Sequence, residues 1–174
     1  MVTYVLAGGC FWCLDAVFRE LKGVALSECG YTGGSRLTAS YYPVASGMTH
    51  HAESVRVTFD ESIIPADTLL DIFFLIHDPT TKNRQGADVG PQYRSAMFYE
   101  DDIQRRAFTT ALARAQSKWD HPIVTEITAL GTFYLAEPEH QNYYATHLDA
   151  GYCTVVISPK LRKARQHYRQ YFMT

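Results

Sequence analysis

The sequence predicts a mixed α/β fold built on a central sheet, on three observations. Apolar residues alternate in some segments and recur every third or fourth position in others, the signatures of strands and helices. The two kinds of segment interleave in an irregular order, so a regular run of parallel βαβ units is not expected. No repeat, linker or low-complexity tract divides the 174 residues, so a single domain spanning 1–174 with one sizeable core is expected.

Residues 2–7 read as a buried strand, and 11–21 as a helix with its apolar stripe at Phe11, Leu14, Val17, Phe18 and Leu21, ending at Gly23. Residues 24–31 form a second strand that runs into Gly33-Gly34. Val55, Val57 and Phe59 alternate in a third strand over 54–59, and Pro65 opens a helix over 65–76. A short strand over 95–99 precedes a long helix that reaches Trp119. Residues 123–130 and 133–135 look extended. The chain is expected to close with a helix over 137–148, a strand over 154–157 and a basic helix after Pro159. Two long segments, 33–53 and 78–92, lack a periodic pattern, and loops of that length in a compact domain are usually functional. The first carries Tyr41, Tyr42, His50, His51 and Glu53, and the second Asp88 and Tyr93.

A net charge of −2 offers no field for nucleic acid, and no apolar run is long enough to span a bilayer, so neither nucleic acid nor membrane is an expected partner. Four cysteines, Cys10, Cys13, Cys29 and Cys153, are few for a disulfide scaffold and suit a reducing compartment. The first residues resemble no signal peptide. A cytoplasmic enzyme is the expectation.

The chemistry centres on Cys10-Phe11-Trp12-Cys13, where a strand turns into a helix. Cys10 precedes the helix, whose positive end favours a thiolate and so marks it as the nucleophile of the pair. Cys13, one turn on, is within disulfide reach and is the expected resolving partner. Phe11 and Trp12 are large apolar groups suited to an uncharged organic substrate. Glu53, if buried beside Cys10, would stay protonated and donate to a substrate oxygen, with Tyr41 and Tyr93 as further donors. The competing readings are core aromatics, small buried thiols and a surface carboxylate. Cys29 reads as a buried strand thiol.

The runs Gly-Gly-Cys-Phe-Trp-Cys (8–13), Gly-Tyr-Thr-Gly-Gly (30–34), His-Ala-Glu (51–53), the long His-Asp-Pro-Thr-Thr-Lys-Asn-Arg-Gln-Gly stretch through Tyr93 (77–95), Glu-His-Gln (139–141) and Gly-Tyr-Cys (151–153) resemble, in order, the peptide methionine sulfoxide reductases of the A type. The resemblance implies a ferredoxin-like α/β sandwich that reduces the S epimer of methionine sulfoxide, free or in oxidised proteins, with thioredoxin as reductant and no bound cofactor or metal. It gives Cys10 the role of nucleophile, Glu53 that of the acid on the sulfoxide oxygen, and Tyr41 and Tyr93 those of hydrogen-bonding helpers. Phe11 and Trp12 become the pocket for the substrate methyl group, and Asp88 the aspartate that orders the site through water. Tyr41 is taken over Tyr42 by counting back from Ser46-Gly47.

The chain departs from that pattern at Cys13, where many members carry glycine. The first disulfide is therefore expected within Cys10–Cys13; either Cys13 resolves alone or it passes the disulfide on to Cys153, which resembles the distal resolving residue. His50 stands where a small residue is common and is expected either to narrow the pocket rim or to alter the surroundings of the acid. A general thiol–disulfide oxidoreductase would share the two thiols and have no need of Glu53. A zinc module would need a second close ligand pair, which is missing. The basic residues in 160–169 read as a solvated helix face, and His140 and His147 as surface or capping residues.

Overall fold

The computed structural model describes residues 1–174. Six strands form one sheet in the order β7-β6-β1-β3-β2-β8. They are β1 (Val2–Ala7), β2 (Val24–Thr32), β3 (Ala52–Phe59), β6 (Ala96–Tyr99), β7 (Glu126–Ala129) and β8 (Tyr134–Leu135). The four central strands, with α1 (Phe11–Arg19) after β1 and α3 (Ala66–Leu75) after β3, follow the ferredoxin-like β-α-β-β-α-β path. All pairs among these four are antiparallel, while β7 joins β6 in parallel.

The sequence pattern explains the layering. Leu6, Val55, Val57 and Phe59 point into one cluster of 33 buried residues, together with Phe11, Leu14, Val17 and Phe18 of α1 and Leu69, Leu70, Ile72 and Phe73 of α3. Rings meet edge to face within it, Tyr4 standing 4.9 Å from Phe108 and 5.3 Å from Phe59. Helix α4 (Asp102–Gln116) starts where the Asp101 side chain accepts the Gln104 N–H at 2.8 Å, a side-chain cap.

Three expectations fail, each for a local reason. The helix over 137–148 is broken into a 3₁₀ turn (Pro138–His140) and the short α5 (Tyr143–Thr146), because Asn142 adopts φ 53° between them. The strand expected over 154–157 is a π-helix, Cys153–Ile157, which runs directly into α6 (Ser158–His167). Its β-branched residues mimic a strand, yet the buried positions are Cys153 and Ile157, four apart, a helical spacing. Of 123–130 only Glu126–Ala129 is a strand. The two long patternless segments are less bare than expected. The first holds α2 (Tyr41–Ala45), and the second folds a small hairpin of β4 (Arg84–Gln85) and β5 (Asp88–Val89). No helix is long and apolar enough to cross a membrane.

Candidate active site

The nucleophile loop is set by two glycines. Gly9 has φ 85°, a conformation that disfavours any side chain, and a β-carbon there would stand 2.6 Å from Gln85 Cγ. The turn therefore delivers Cys10 to the N-cap position of α1, and the Cys13 N–H closes the first turn on the Cys10 carbonyl at 3.1 Å. Gln85 is fixed in turn by a reciprocal pair of bonds to the Asp78 backbone, both 3.0 Å.

Glu53 enters from the neighbouring β3, in register with Tyr31 of β2. Its Oε1 accepts the Phe11 N–H at 3.1 Å, so the carboxyl sits at the start of α1 directly beside Cys10. That N–H favours the ionised form, but burial wins: Glu53 is 2% exposed and its pKa is pushed up to about 8. At neutral pH the site holds a protonated carboxyl. Behind it, Gly34 donates to Nδ1 of His51 at 3.1 Å, so the opposite nitrogen carries the proton and donates to the Ser35 carbonyl at 2.8 Å.

Cys10 and Glu53 share a cavity of about 170 Å³ with Phe11, Trp12, Tyr41 and Tyr93, and Asp88 and Tyr152 complete its wall. Seven of the sequence-selected residues thus line one cavity, while Cys13 and Cys153 lie outside its lining. Tyr41, not Tyr42, faces the cavity; Tyr42 is 84% exposed. A larger hollow of about 250 Å³ between α3, α4 and α6 contains no thiol, and its Arg114 is tied to Asp71 at 2.7 Å.

The thiol charges differ from expectation. The helix terminus does not dominate at Cys10: burial, followed by its hydrogen bond to Cys13, pushes the Cys10 thiol well up. Cys13 is held down at about 7, first by the hydrogen bond from Cys10 and, against its burial, by the Lys160 charge and the Tyr152 hydroxyl. The two sulfurs share one hydrogen bond, with burial opposing a thiolate at Cys10 and the Lys160 charge and Tyr152 hydroxyl favouring one at Cys13. Burial, with Glu53 next, also raises Tyr41 and Tyr93, so both remain hydroxyl donors.

The sequence reading missed the groups that hold the aromatic wall. Trp12 lies flat on Tyr143, the centroids 3.7 Å apart and the planes 6° from parallel, with the Tyr152 ring edge-on at 6.1 Å. His140 is buried and stacks on Tyr41 at 4.3 Å and on Trp12 at 5.7 Å, which overturns its reading as a surface residue. His147 is exposed and stacks on Tyr143. Tyr152 donates to Asp88 Oδ2 at 2.8 Å and lies 3.8 Å from Cys13 Sγ. The run Gly-Tyr-Cys marked the neighbourhood, but only its cysteine was read.

The expectation for His50 fails. His50 does not line the cavity: its side chain is exposed, and its carbonyl accepts from Arg94 at 3.0 Å. Cys29 is fully buried in β2, its thiol 3.8 Å from the Phe11 carbonyl. Cys153 is fully buried in the π-helix. The basic α6 is largely exposed, and Arg165 pairs with Glu20. No group of three or more His, Cys, Asp or Glu side chains is arranged to hold a metal ion.

Known proteins share this chain's sequence and architecture. The family model of peptide methionine sulfoxide reductase matches residues 2–171. The peptide methionine sulfoxide reductase MsrA of Pseudarthrobacter chlorophenolicus is 58% identical over 168 residues, covering 97% of each chain. The reduced form of Saccharomyces cerevisiae Mxr1 superposes with a TM-score of 0.82 at 34% identity, over 87% of this chain and 88% of that one. Methionine sulfoxide reductase A of Corynebacterium diphtheriae gives 0.74 at 31% identity, over 84% and 74%. Mxr1 is also similar in its complex with Trx2, with a TM-score of 0.58 at 27% identity over 82% and 84%. Agreement in sequence along nearly the whole chain, and in structure along more than four fifths of it, leaves one assignment: this chain belongs to the peptide methionine sulfoxide reductase family, of the A type, and is an oxidoreductase.

Proposed function

We propose that residues 1–174 form one reductase domain that reduces the S epimer of methionine sulfoxide, free or in oxidised proteins, through a sulfenic acid on Cys10. The observation that carries this reading is the neutral Glu53 carboxyl buried beside Cys10 in an aromatic cavity. Sulfoxide sulfur is a poor electrophile until its oxygen is protonated, so an acid that keeps its proton past neutrality is what the chemistry needs. Phe11 and Trp12 take the substrate methyl group, Tyr41 and Tyr93 donate to the oxygen, and Asp88 orders the polar side of the pocket.

The steps conserve charge. Cys10 passes its proton to the Cys13 thiolate, Glu53 protonates the sulfoxide oxygen, and the Cys10 sulfur attacks. Methionine leaves, and Cys10 keeps the oxygen as a sulfenic acid. One negative charge is present throughout, moving from Cys13 to Glu53. Cys13 then closes a disulfide with Cys10, and Cys153 receives it by exchange. A thioredoxin-type dithiol restores the thiols, a partner supported by the Mxr1–Trx2 complex. The cycle as written uses only thiols, a carboxyl and an external dithiol, with no bound cofactor, and suits a reducing, cytoplasmic setting.

The test is a single turnover of each resolved epimer of a blocked methionine sulfoxide, with thiols counted, in wild type, Cys13→Ser and Cys153→Ser. One thiol pair should vanish per methionine formed from the S epimer. Cys13→Ser should slow disulfide formation more than methionine release. A silent Cys13→Ser together with a Cys153→Ser that blocks recycling would reverse the order of the two resolving cysteines. Equal rates with both epimers would contradict the assigned stereochemistry.

A further inference from the structure

We propose that Tyr152 and Asp88 form a relay for the proton that Cys13 loses when it closes the disulfide with Cys10. The proposal rests on the roles given above to Cys10, Cys13 and Glu53, and extends them to the second half of the cycle. The Tyr152 oxygen is 3.8 Å from Cys13 Sγ, and its hydroxyl donates to Asp88 Oδ2 at 2.8 Å. Asp88 borders the same cavity as Cys10. A chain of proton carriers thus runs from the Cys13 sulfur to a carboxyl on the wall of the cavity in which the Cys10 sulfenic acid forms.

The reaction requires such a path. After oxygen transfer, Cys10 is S–OH, Cys13 is a thiol, and Glu53 is a carboxylate that has already given its proton away. Closing the disulfide forms the Cys13–Cys10 S–S bond and breaks the Cys10 S–O bond. The hydroxyl departs as water with one proton, and no outside oxidant or reductant takes part. In a displacement at sulfur the attacking and leaving atoms lie on opposite sides, so the Cys13 proton is released away from the oxygen that needs it. Tyr152 accepts that proton as it passes its own to Asp88, and Asp88 gives the proton to the leaving oxygen. Burial, and then the two nearby cysteines, raise the Tyr152 hydroxyl far above its ordinary range. It acts as a shuttle that releases a proton only on receiving one. Because glycine at position 13 would leave Tyr152 no sulfur to serve, the relay is a property of the Cys-x-x-Cys form of this site.

The test is a single turnover of the full chain with the S epimer of a blocked methionine sulfoxide, scored for methionine and for free thiols in wild type and Tyr152→Phe. The rate of disulfide closure relative to methionine release should fall at least about a hundredfold in the variant, the low end of what positioned proton transfer contributes. Dimedone should then trap a sulfenic acid on Cys10. Methionine formed with an unchanged ratio of the two rates would overturn the relay. Absence of methionine in wild type would instead overturn the roles on which it rests. A second measurement needs no variant: in wild type, heavy water should slow disulfide closure more than methionine release, and equal slowing would contradict the relay.

Discussion

The two walls of the active site are built differently. Cys10 and Glu53 come from the end of β1 and the start of β3, strands at the centre of the sheet, and meet at the first turn of α1. Tyr143, Tyr152 and Cys153 come from a carboxy-terminal strap made of a 3₁₀ turn, a four-residue helix and a π-helix. The strap packs into the core through Cys153 and Ile157, and its turns are tied down by side-chain bonds. The Gln141 amide bonds both the N–H and the carbonyl of Cys29, at 2.8 and 2.9 Å, and Asp15 accepts the Asn142 N–H at 3.1 Å. The difference matches the chemistry. Oxygen transfer needs fixed distances, which packed strands supply, whereas disulfide exchange needs sulfurs to approach one another, which short elements joined by turns permit more readily than a sheet.

The comparison can be broken most sharply at the sheet wall. Glu53→Gln keeps the shape and removes the proton, so the rate of first methionine formation should fall about 10²- to 10⁴-fold, measured by rapid quench. A general dithiol oxidoreductase would keep its disulfide turnover in that variant. Phe18→Ala, at a fully buried position of α1, should destabilise the whole domain by about 3–5 kcal/mol in denaturant unfolding, because the frame and the first-step site are one body. Tyr143→Ala in the strap should have a different signature. It frees Trp12 of its stacking partner and should raise KM for sulfoxide about tenfold, with a smaller loss of global stability than Phe18→Ala. A stability loss as large as that of Phe18→Ala would mean that Tyr143 supports the core as much as α1 does. The smallest effect is expected at Leu148, which is 55% exposed, where alanine should change stability by no more than about 0.5 kcal/mol.

The sheet wall was legible in the sequence because it lies on regular elements. The glycines before Cys10, the helical stripe after it and the alternation after Glu53 each have a local cause, and the antiparallel pairing of β1 with β3 then brings both residues to the same end of the sheet. The strap was not legible for the converse reason. Thr154-Val155-Val156-Ile157 has strand-like composition, and neighbouring Cys153 and Ile157 are buried with helical spacing. His140 looked like a surface residue because its partners, Tyr41 and Trp12, are about 100 or more positions away and nothing local pairs them. The thiol charges were misjudged because burial and a shared hydrogen bond outweigh the helix dipole, and neither can be read from two cysteines three residues apart.

The central claim is that a carboxyl kept neutral at position 53 drives oxygen transfer. Its folded pKa is raised to about 8, so the acid is intact through neutrality and is lost as pH rises through that value. The most direct test is the pH dependence of first methionine formation in wild type and in Glu53→Gln. The wild-type rate should fall above about pH 8, and that fall should be missing from the residual rate of Glu53→Gln. The same fall in both proteins would contradict the account.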